Sequence, residues 1–234
     1  MLQIDPGAFF TIIVIILLSL SIHEFAHAKL ADAAGDPTPR IYGRVTLNPL
    51  AHLDPVGTIM ILLSSMSGFG IGWGKPVPVN PSRMKNPRWD HFVSVAAGPL
   101  SNLIQAGIYA IVLRFLLVGR AVTIDQVMNT LNGNPSEFLA FLCTMGIVIN
   151  LGLCFFNLIP LGPLDGHWML GTFMPEPTRL KWYLFNRQIG GFILIVVVLF
   201  GQMMPELSII GRILRPAVYS TFSFFTGIPI HYSL

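Results

Sequence analysis

The chain has 234 residues, 53% hydrophobic and only 11% charged, with a mean hydropathy of +0.67. Soluble globular chains carry about a quarter charged residues, so the composition excludes a soluble enzyme and marks an integral membrane protein. The formal charge of +3 does not point to nucleic acid, because Lys and Arg fall in short loops between apolar runs rather than along one helix face.

The first apolar run, Ala8–Ala31, is long enough to span a bilayer, which takes about 20 residues. It is read as retained rather than cleaved: no basic segment precedes it, no small-residue cleavage site follows, and it contains HEFAH, residues His23 to His27. From Gly35 to Pro55 the chain is rich in Pro, Gly, Asn and Asp, which is turn chemistry. Within it RIYGRVTL, Arg40–Leu47, has the alternating β-branched and aromatic character of a short strand or hairpin. His52 and Asp54 follow as candidates to line a site, with Asp54-Pro55 alternatively capping the next helix. Val56–Ile71 is apolar but short and rich in Gly and Ser.

A Pro-rich basic loop then leads to three clear spans, Phe92–Val118, Phe138–Ile159 and Ile189–Met203. The last apolar stretch, Leu207–Ile228, contains Arg212, Arg215 and Pro216, so it either spans or lies at the interface. Trp73, Trp89, Trp168 and Trp182 fall near span ends, as an aromatic belt requires. Cys143 and Cys154 are separated by about 16 Å of helix, too far for a disulfide, and read as buried small hydrophobes. The expected fold class is an all-α polytopic membrane protein: a bundle of about five to six transmembrane helices with a short re-entrant β-hairpin or loop segment. One domain, 1–234, is expected, with a catalytic core over 8–170 and C-terminal helices over 188–228.

Residues four apart share a helix face, so His23 and His27 can place two imidazole nitrogens on one ion, with Glu24 beside them within reach of its bound water. Ionisable side chains at membrane depth mark functional sites. A catalytic zinc takes three protein ligands and keeps a fourth position for water. The other polar cluster at such depth is NLIPLGPLDGHW, Asn157 to Trp168, where Pro160 and Gly162-Pro163 break the helix and turn Asp165 sideways. Asp165 is the expected third ligand, the alternative being a turn-forming Asp before Gly166.

These residues resemble a known family. HExxH on a membrane helix, AGPLSN (Ala97–Asn102) in a later one, and NLIPLGPLDG together look like the site-2 protease family of intramembrane zinc metalloproteases. The resemblance implies one Zn2+ per chain held by His23, His27 and Asp165, and Glu24 as general base. It also implies Asn157 and Asn102 as substrate-binding or oxyanion residues, and cleavage of a single-span membrane-protein substrate within the lipid bilayer. For Asn102 a packing hydrogen bond between spans is the competing role. No PDZ or CBS domain is seen, and a homo-oligomer or a regulatory membrane partner stays open.

All three ligands must lie at one depth. The first span and Phe138–Ile159 must therefore run the same way, which requires Val56–Ile71 to dip in and return. The basic loop Lys75–Arg88 and Arg179–Arg187 then share one side, the cytoplasmic one by the positive-inside rule, and the expected setting is a prokaryotic cytoplasmic membrane with the active site near its cytoplasmic face. The strand-like RIYGRVTL is a candidate edge for capturing an unwound substrate, the equal alternative being a plain hairpin that caps the cavity. The rivals are a transporter or metal-ion carrier, which also uses ionisable residues and broken helices, and a relative that binds helices without cutting them.

Overall fold

The computed structural model describes residues 5–57, 59, 74–134 and 137–230. Helix α1, Pro6–Ala33, starts where the Asp5 carboxylate accepts the Ala8 amide at 2.8 Å and Pro6 takes the first position. Short α2 covers Thr38–Ile41, and α3 covers Pro87–Val118. Helix α4, Ile124–Leu131, opens with a reciprocal Thr123/Gln126 capping box. Helix α5 runs Phe138–Asn157 and α6 Asp165–Thr172. Helix α7, Thr178–Phe185, passes through a π turn at Asn186–Gly190 into α8, Gly191–Met203, and α9 spans Ile209–Thr226.

Four of these helical stretches are long and apolar enough to cross a membrane: Pro6–Ala33, Pro87–Val118, Phe138–Asn157 and Thr178–Met203. The fourth begins earlier than the apolar run at Ile189 suggests, because α7 and α8 stay continuous through the π turn. Helix α9 keeps Arg212 and Arg215 yet is not peripheral, since Val218 and Phe222 are buried in the core. Nearly all of Val56–Ile71, and Trp73, lie outside the described residues, so the expected fifth or sixth crossing and the re-entrant segment are not seen.

Helix α3 is the centre of the bundle, packed against α1 on one side and α5 on the other. In hydrocarbon, helices gain little from hiding apolar surface and associate through close contact and interhelical hydrogen bonds. Small residues accordingly occupy the interface. Ala106 and Ala110 of α3 are buried with Cys143, Ile147 and Leu151 of α5, and a Cβ added at Gly146 would fall 2.6 Å from the Tyr109 ring. Both cysteines are free and buried. The outward faces carry exposed Ile104, Ile108 and Phe115 on α3 and Phe192, Ile195 and Phe200 on α8, as lipid contact demands.

Chain directions follow from side-chain pairs. His27 meets the Ser94 carbonyl, while Ser19 and His23 meet Asn102, so α1 and α3 are antiparallel. Asn102 meets Asn150 and Tyr109 meets Gly146, so α3 and α5 are antiparallel too. Helices α1 and α5 therefore run the same way, as the ligand argument requires. The connection from α1 to α3 also begins and ends at one end of the bundle. The Lys85 amide donates to the Ala34 carbonyl at 3.1 Å and the Asn80 amide to the Asp36 carboxylate at 2.6 Å.

Asp36 is fully buried in that connection. Burial alone would raise its pKa, but hydrogen bonds from the Thr38 hydroxyl and the Asn80 and Thr38 amides, with the charge of Arg83, hold it below the ordinary carboxylate value.

The strand expected over Arg40–Leu47 does not form, and no strand is present among the described residues. Asp36 accepts from the Thr38 amide, Arg40 pairs with Asp32 at 2.6 Å, and one helical turn results. Gly43 turns the chain at φ +67°. Arg44 then buries its guanidinium on the carbonyls of Ala51 and Lys75, at 2.5 and 3.2 Å. Local side-chain bonds to backbone took a segment that has no partner strand among the described residues, so the expected substrate-capturing edge is not a formed strand. Among the described residues the only pairing nearby is an antiparallel bridge between Leu53 and Gly74.

Candidate active site

One helical turn of α1 separates His23 from His27, and their Nε2 atoms lie 3.0 Å apart. Asp165, the first residue of α6, brings Oδ2 to 3.2 Å from His23 Nε2 and 3.4 Å from His27 Nε2. These three ligand atoms lie within 4.8 Å of one another. Both histidines are buried, and Asp165 Oδ2 is buried with no hydrogen-bond partner among the described residues.

The second nitrogen of each imidazole is fixed by a network reaching through three helices. His27 Nδ1 faces the Ser94 carbonyl at 2.8 Å; a carbonyl only accepts, so Nδ1 carries a proton and Nε2 is the nitrogen whose lone pair the neutral ring offers to a metal. Ser94 lies in the turn where Pro99 supplies no N–H to the Val95 carbonyl. His23 Nδ1 lies 2.6 Å from Asn102 Oδ1. The amide orientation of Asn102 is set because its Nδ2 donates to the Ser19 carbonyl at 3.4 Å and to Asn150 Oδ1 at 3.0 Å. Asn150 is set in turn by donating to the Gly146 carbonyl at 2.9 Å. Each assignment ends on a backbone carbonyl, so the tautomer of His23 is fixed as well.

Two nitrogen lone pairs and a carboxylate oxygen thus face one another in a buried space, an arrangement that repels unless a cation joins it. The donor set of two imidazoles and one carboxylate is that of catalytic zinc with a coordination position left open, and the Nδ1–H bonds are the outer contacts that zinc-binding histidines use. The residues therefore fit the metal. Space for it comes from Gly98: a Cβ there would lie 2.3 Å from His27 Nε2 and 2.6 Å from His23 Nε2. This explains the glycine of the AGP motif.

Asp165 arrives by a turn, Ile159–Leu164, that leaves the end of α5. A Cβ at Gly166 would fall 2.3 Å from the Leu158 carbonyl oxygen, so the glycine of LDG lets α6 fold back onto that end. Arg88 of α3 fastens the far end of α6 through the Thr172 carbonyl at 2.7 Å. His167 is buried on the Leu164 carbonyl, and burial holds its pKa below the usual histidine value.

The other sequence candidates divide. Glu24 is partly buried next to the cluster, with Oε1 3.8 Å from where a Gly74 Cβ would stand. His52 is buried beside it in the chain fold, its backbone oxygen also against Gly74, but its Nε2 is committed to the Thr46 carbonyl at 2.8 Å. Asp54 accepts the Gly57 amide at 2.8 Å, the helix-capping geometry weighed for it. Asn157 stands in the last turn of α5 and donates to its own Leu153 carbonyl at 2.9 Å. Asn102 is completely buried behind His23, in the interhelical hydrogen-bonding position rather than facing a cleft. Asn150 was missed by sequence reasoning, although an asparagine in the middle of an apolar span is itself a signal.

The pattern of peptidase family M50 matches residues 11–201. The "Putative zinc metalloprotease YwhC" of Bacillus subtilis is 37% identical over 186 residues, covering 80% of this chain and 78% of that protein. The "Putative zinc metalloprotease Rip2" of Mycolicibacterium smegmatis is 30% identical over 194 residues, covering 82% and 68% respectively. No solved structure matches the chain. The match encloses the HExxH residues, the glycine that opens the metal space and the turn that delivers Asp165, and the relatives carry the zinc chemistry in their names. This chain accordingly belongs to peptidase family M50, the site-2 protease family, and is a membrane-embedded zinc metalloprotease.

Proposed function

We propose that the protein hydrolyses peptide bonds within or near the transmembrane helices of membrane-protein substrates, with His23, His27 and Asp165 as the zinc ligands and Glu24 as general base. The observation that carries this reading is the convergence of the three ligand atoms inside the helical bundle, each imidazole locked with Nε2 inward. Zinc bound there supplies an acidified water and polarises the scissile carbonyl. Glu24 takes the proton of the attacking water and delivers it to the nitrogen of the leaving amine. Ser94 and Asn102 direct the imidazoles by accepting their Nδ1–H bonds. Asn157 meets the backbone of a substrate segment that has unwound locally, since an intact helix closes its peptide groups in its own hydrogen bonds.

The active site faces the cytoplasmic side of a prokaryotic membrane in this reading. Lys75, Arg83, Lys85 and Arg88 lie at the α1–α3 connection, and Arg179, Lys181 and Arg187 on α7 and the π turn, at the metal end of the bundle. The opposite connection, Gly119–Ser136, carries Arg120 against Asp125.

The test is metal content and cleavage of a single-span peptide by detergent-purified wild type, His27→Ala, Asp165→Ala and Glu24→Gln. The expected result is near-stoichiometric zinc in wild type and Glu24→Gln, its loss from both ligand variants, and a fall in Glu24→Gln turnover of about 10²–10⁴-fold. Zinc retained by Asp165→Ala would overturn the third-ligand assignment. Stoichiometric zinc with no chelator-sensitive cleavage of any single-span peptide would overturn the substrate assignment.

A further inference from the structure

The turn that carries Asp165 has few ways to hold itself. Pro160 and Pro163 have no N–H. The amide of Ile159 donates back to the Phe156 carbonyl at the end of α5, and those of Leu161 and Leu164 donate within the turn, to Ile159 and Leu161. The amide left for a bond outside the turn belongs to Gly162, three residues before Asp165. It donates to Asn186 Oδ1 at 2.6 Å.

Asn186 lies at the first position of the π turn between α7 and α8 and is 3% exposed. Its Nδ2 donates to the Trp182 carbonyl at 3.0 Å, which directs Oδ1 towards the Gly162 amide. The contact is close on the backbone as well: a Cβ at Gly190 would lie 3.0 Å from both the Gly162 carbonyl oxygen and Asn186 Oδ1, and one at Gly162 would lie 3.1 Å from the Asn186 backbone oxygen. On the far side of Asp165 the same helix makes a second attachment, Trp182 Nε1 donating to the His167 carbonyl at 2.8 Å. The wider π turn therefore sits where one buried amide must meet the loop, a use consistent with π segments at functional sites.

We propose that Asn186 is a positioning residue for the metal centre: its bond to the Gly162 amide fixes the turn that presents Asp165 to the ion, so zinc affinity depends on a side chain of the fourth span. The inference rests on Asp165 being a zinc ligand. Asn186→Leu keeps the size but removes the acceptor. Asn186→Asp keeps an acceptor at the same place. Gly190→Ala leaves every polar group present and wedges the helix away from Gly162.

The experiment measures the zinc dissociation constant of full-length, detergent-purified protein by chelator competition, with size-exclusion homogeneity as the folding check. Asn186→Leu and Gly190→Ala are expected to weaken zinc by about 10-fold or more, the range for contacts that orient metal ligands, and Asn186→Asp to fall between Asn186→Leu and wild type, because it keeps the acceptor for Gly162 but not the amide bond to the Trp182 carbonyl. Combined with Asp165→Ala, Asn186→Leu is expected to add less than about a twofold further loss, because both act through one ligand.

Wild-type affinity in homogeneous Asn186→Leu, or a full additional loss on the Asp165→Ala background, would overturn the proposal. If Asn186→Leu does not yield homogeneous protein, Gly190→Ala decides by the same two criteria. Asp165→Ala alone separates the two failures: tight zinc in that variant would sink the ligand assignment itself, whereas zinc lost there but unchanged in Asn186→Leu would sink only the role of Asn186.

Discussion

The two histidines and the aspartate meet at one point but are held in different ways. His23 and His27 ride on a 28-residue helix pressed against α3 and inherit their aim from the bundle: Ser94 and Asn102 stand behind them, and Asn150 of α5 stands behind Asn102. Asp165 rides on the turn after α5 and is fixed by attachments made one at a time, from Asn186 to Gly162, from Trp182 to His167 and from Arg88 to Thr172. The supporting helices differ in the same sense, because nine residues of α5 are buried and none of α7, which carries Trp182. Half of the centre is made by packing and half by fastening, so damage to each half should read out differently.

The largest effect is expected where packing itself makes the metal space. Gly98→Val puts carbon where both Nε2 atoms converge, 2.3 and 2.6 Å away, and neither imidazole can retreat because each is held from behind. Zinc and cleavage should both be lost while the helical circular-dichroism signal stays at the wild-type level. Substantial zinc in Gly98→Val would mean that α1 slides along α3, and the rigid half of the comparison would be wrong.

A graded test lies one and two steps behind His23. Asn102→Leu leaves a buried Nδ1–H without an acceptor, and zinc affinity should fall by about 10–100-fold. Asn150→Leu should cost less, about 10-fold at most, because the Ser19 carbonyl still holds the Asn102 amide. Chelator competition on both variants gives the order. A larger loss from Asn150→Leu than from Asn102→Leu would show that the chain of amides does not act through His23.

The same division governed what could be read from the sequence. HExxH, the spans and the broken helix before Asp165 are local patterns, set by helical periodicity and by Pro and Gly, and each is visible without a fold. The requirement that ligands share one depth fixed the relative direction of α1 and α5. Asn150 and Asn186 matter through partners 48 and 24 residues away, and no local pattern carries such a pairing. Arg40–Leu47 misled because alternation is only half of a strand signal. Asp36, Thr38 and Arg44 offered the backbone nearer partners, and the segment folded on those.

That connection supplies the smallest expected effect and a check that the histidine half depends on the bundle alone. Asp36 ties the start of the α1–α3 connection to Asn80 near its end and is not behind either imidazole. Asp36→Asn keeps the side-chain oxygen but loses the charge that strengthens its bonds from Thr38 and Asn80, and should lower stability by about 1–2 kcal/mol with zinc affinity unchanged. The sign with pH follows from the depressed carboxyl pKa: the unfolded chain binds the Asp36 proton more readily than the folded one. The contribution of Asp36 is therefore full above the ordinary carboxylate pKa and fades as pH falls towards the lower folded value. Thermal unfolding of wild type and Asp36→Asn at descending pH should show midpoints that converge below about pH 4. A gap that stayed constant would assign the stabilisation to the neutral hydrogen bonds, and a fall in zinc affinity would extend the packed half of the centre into the connection.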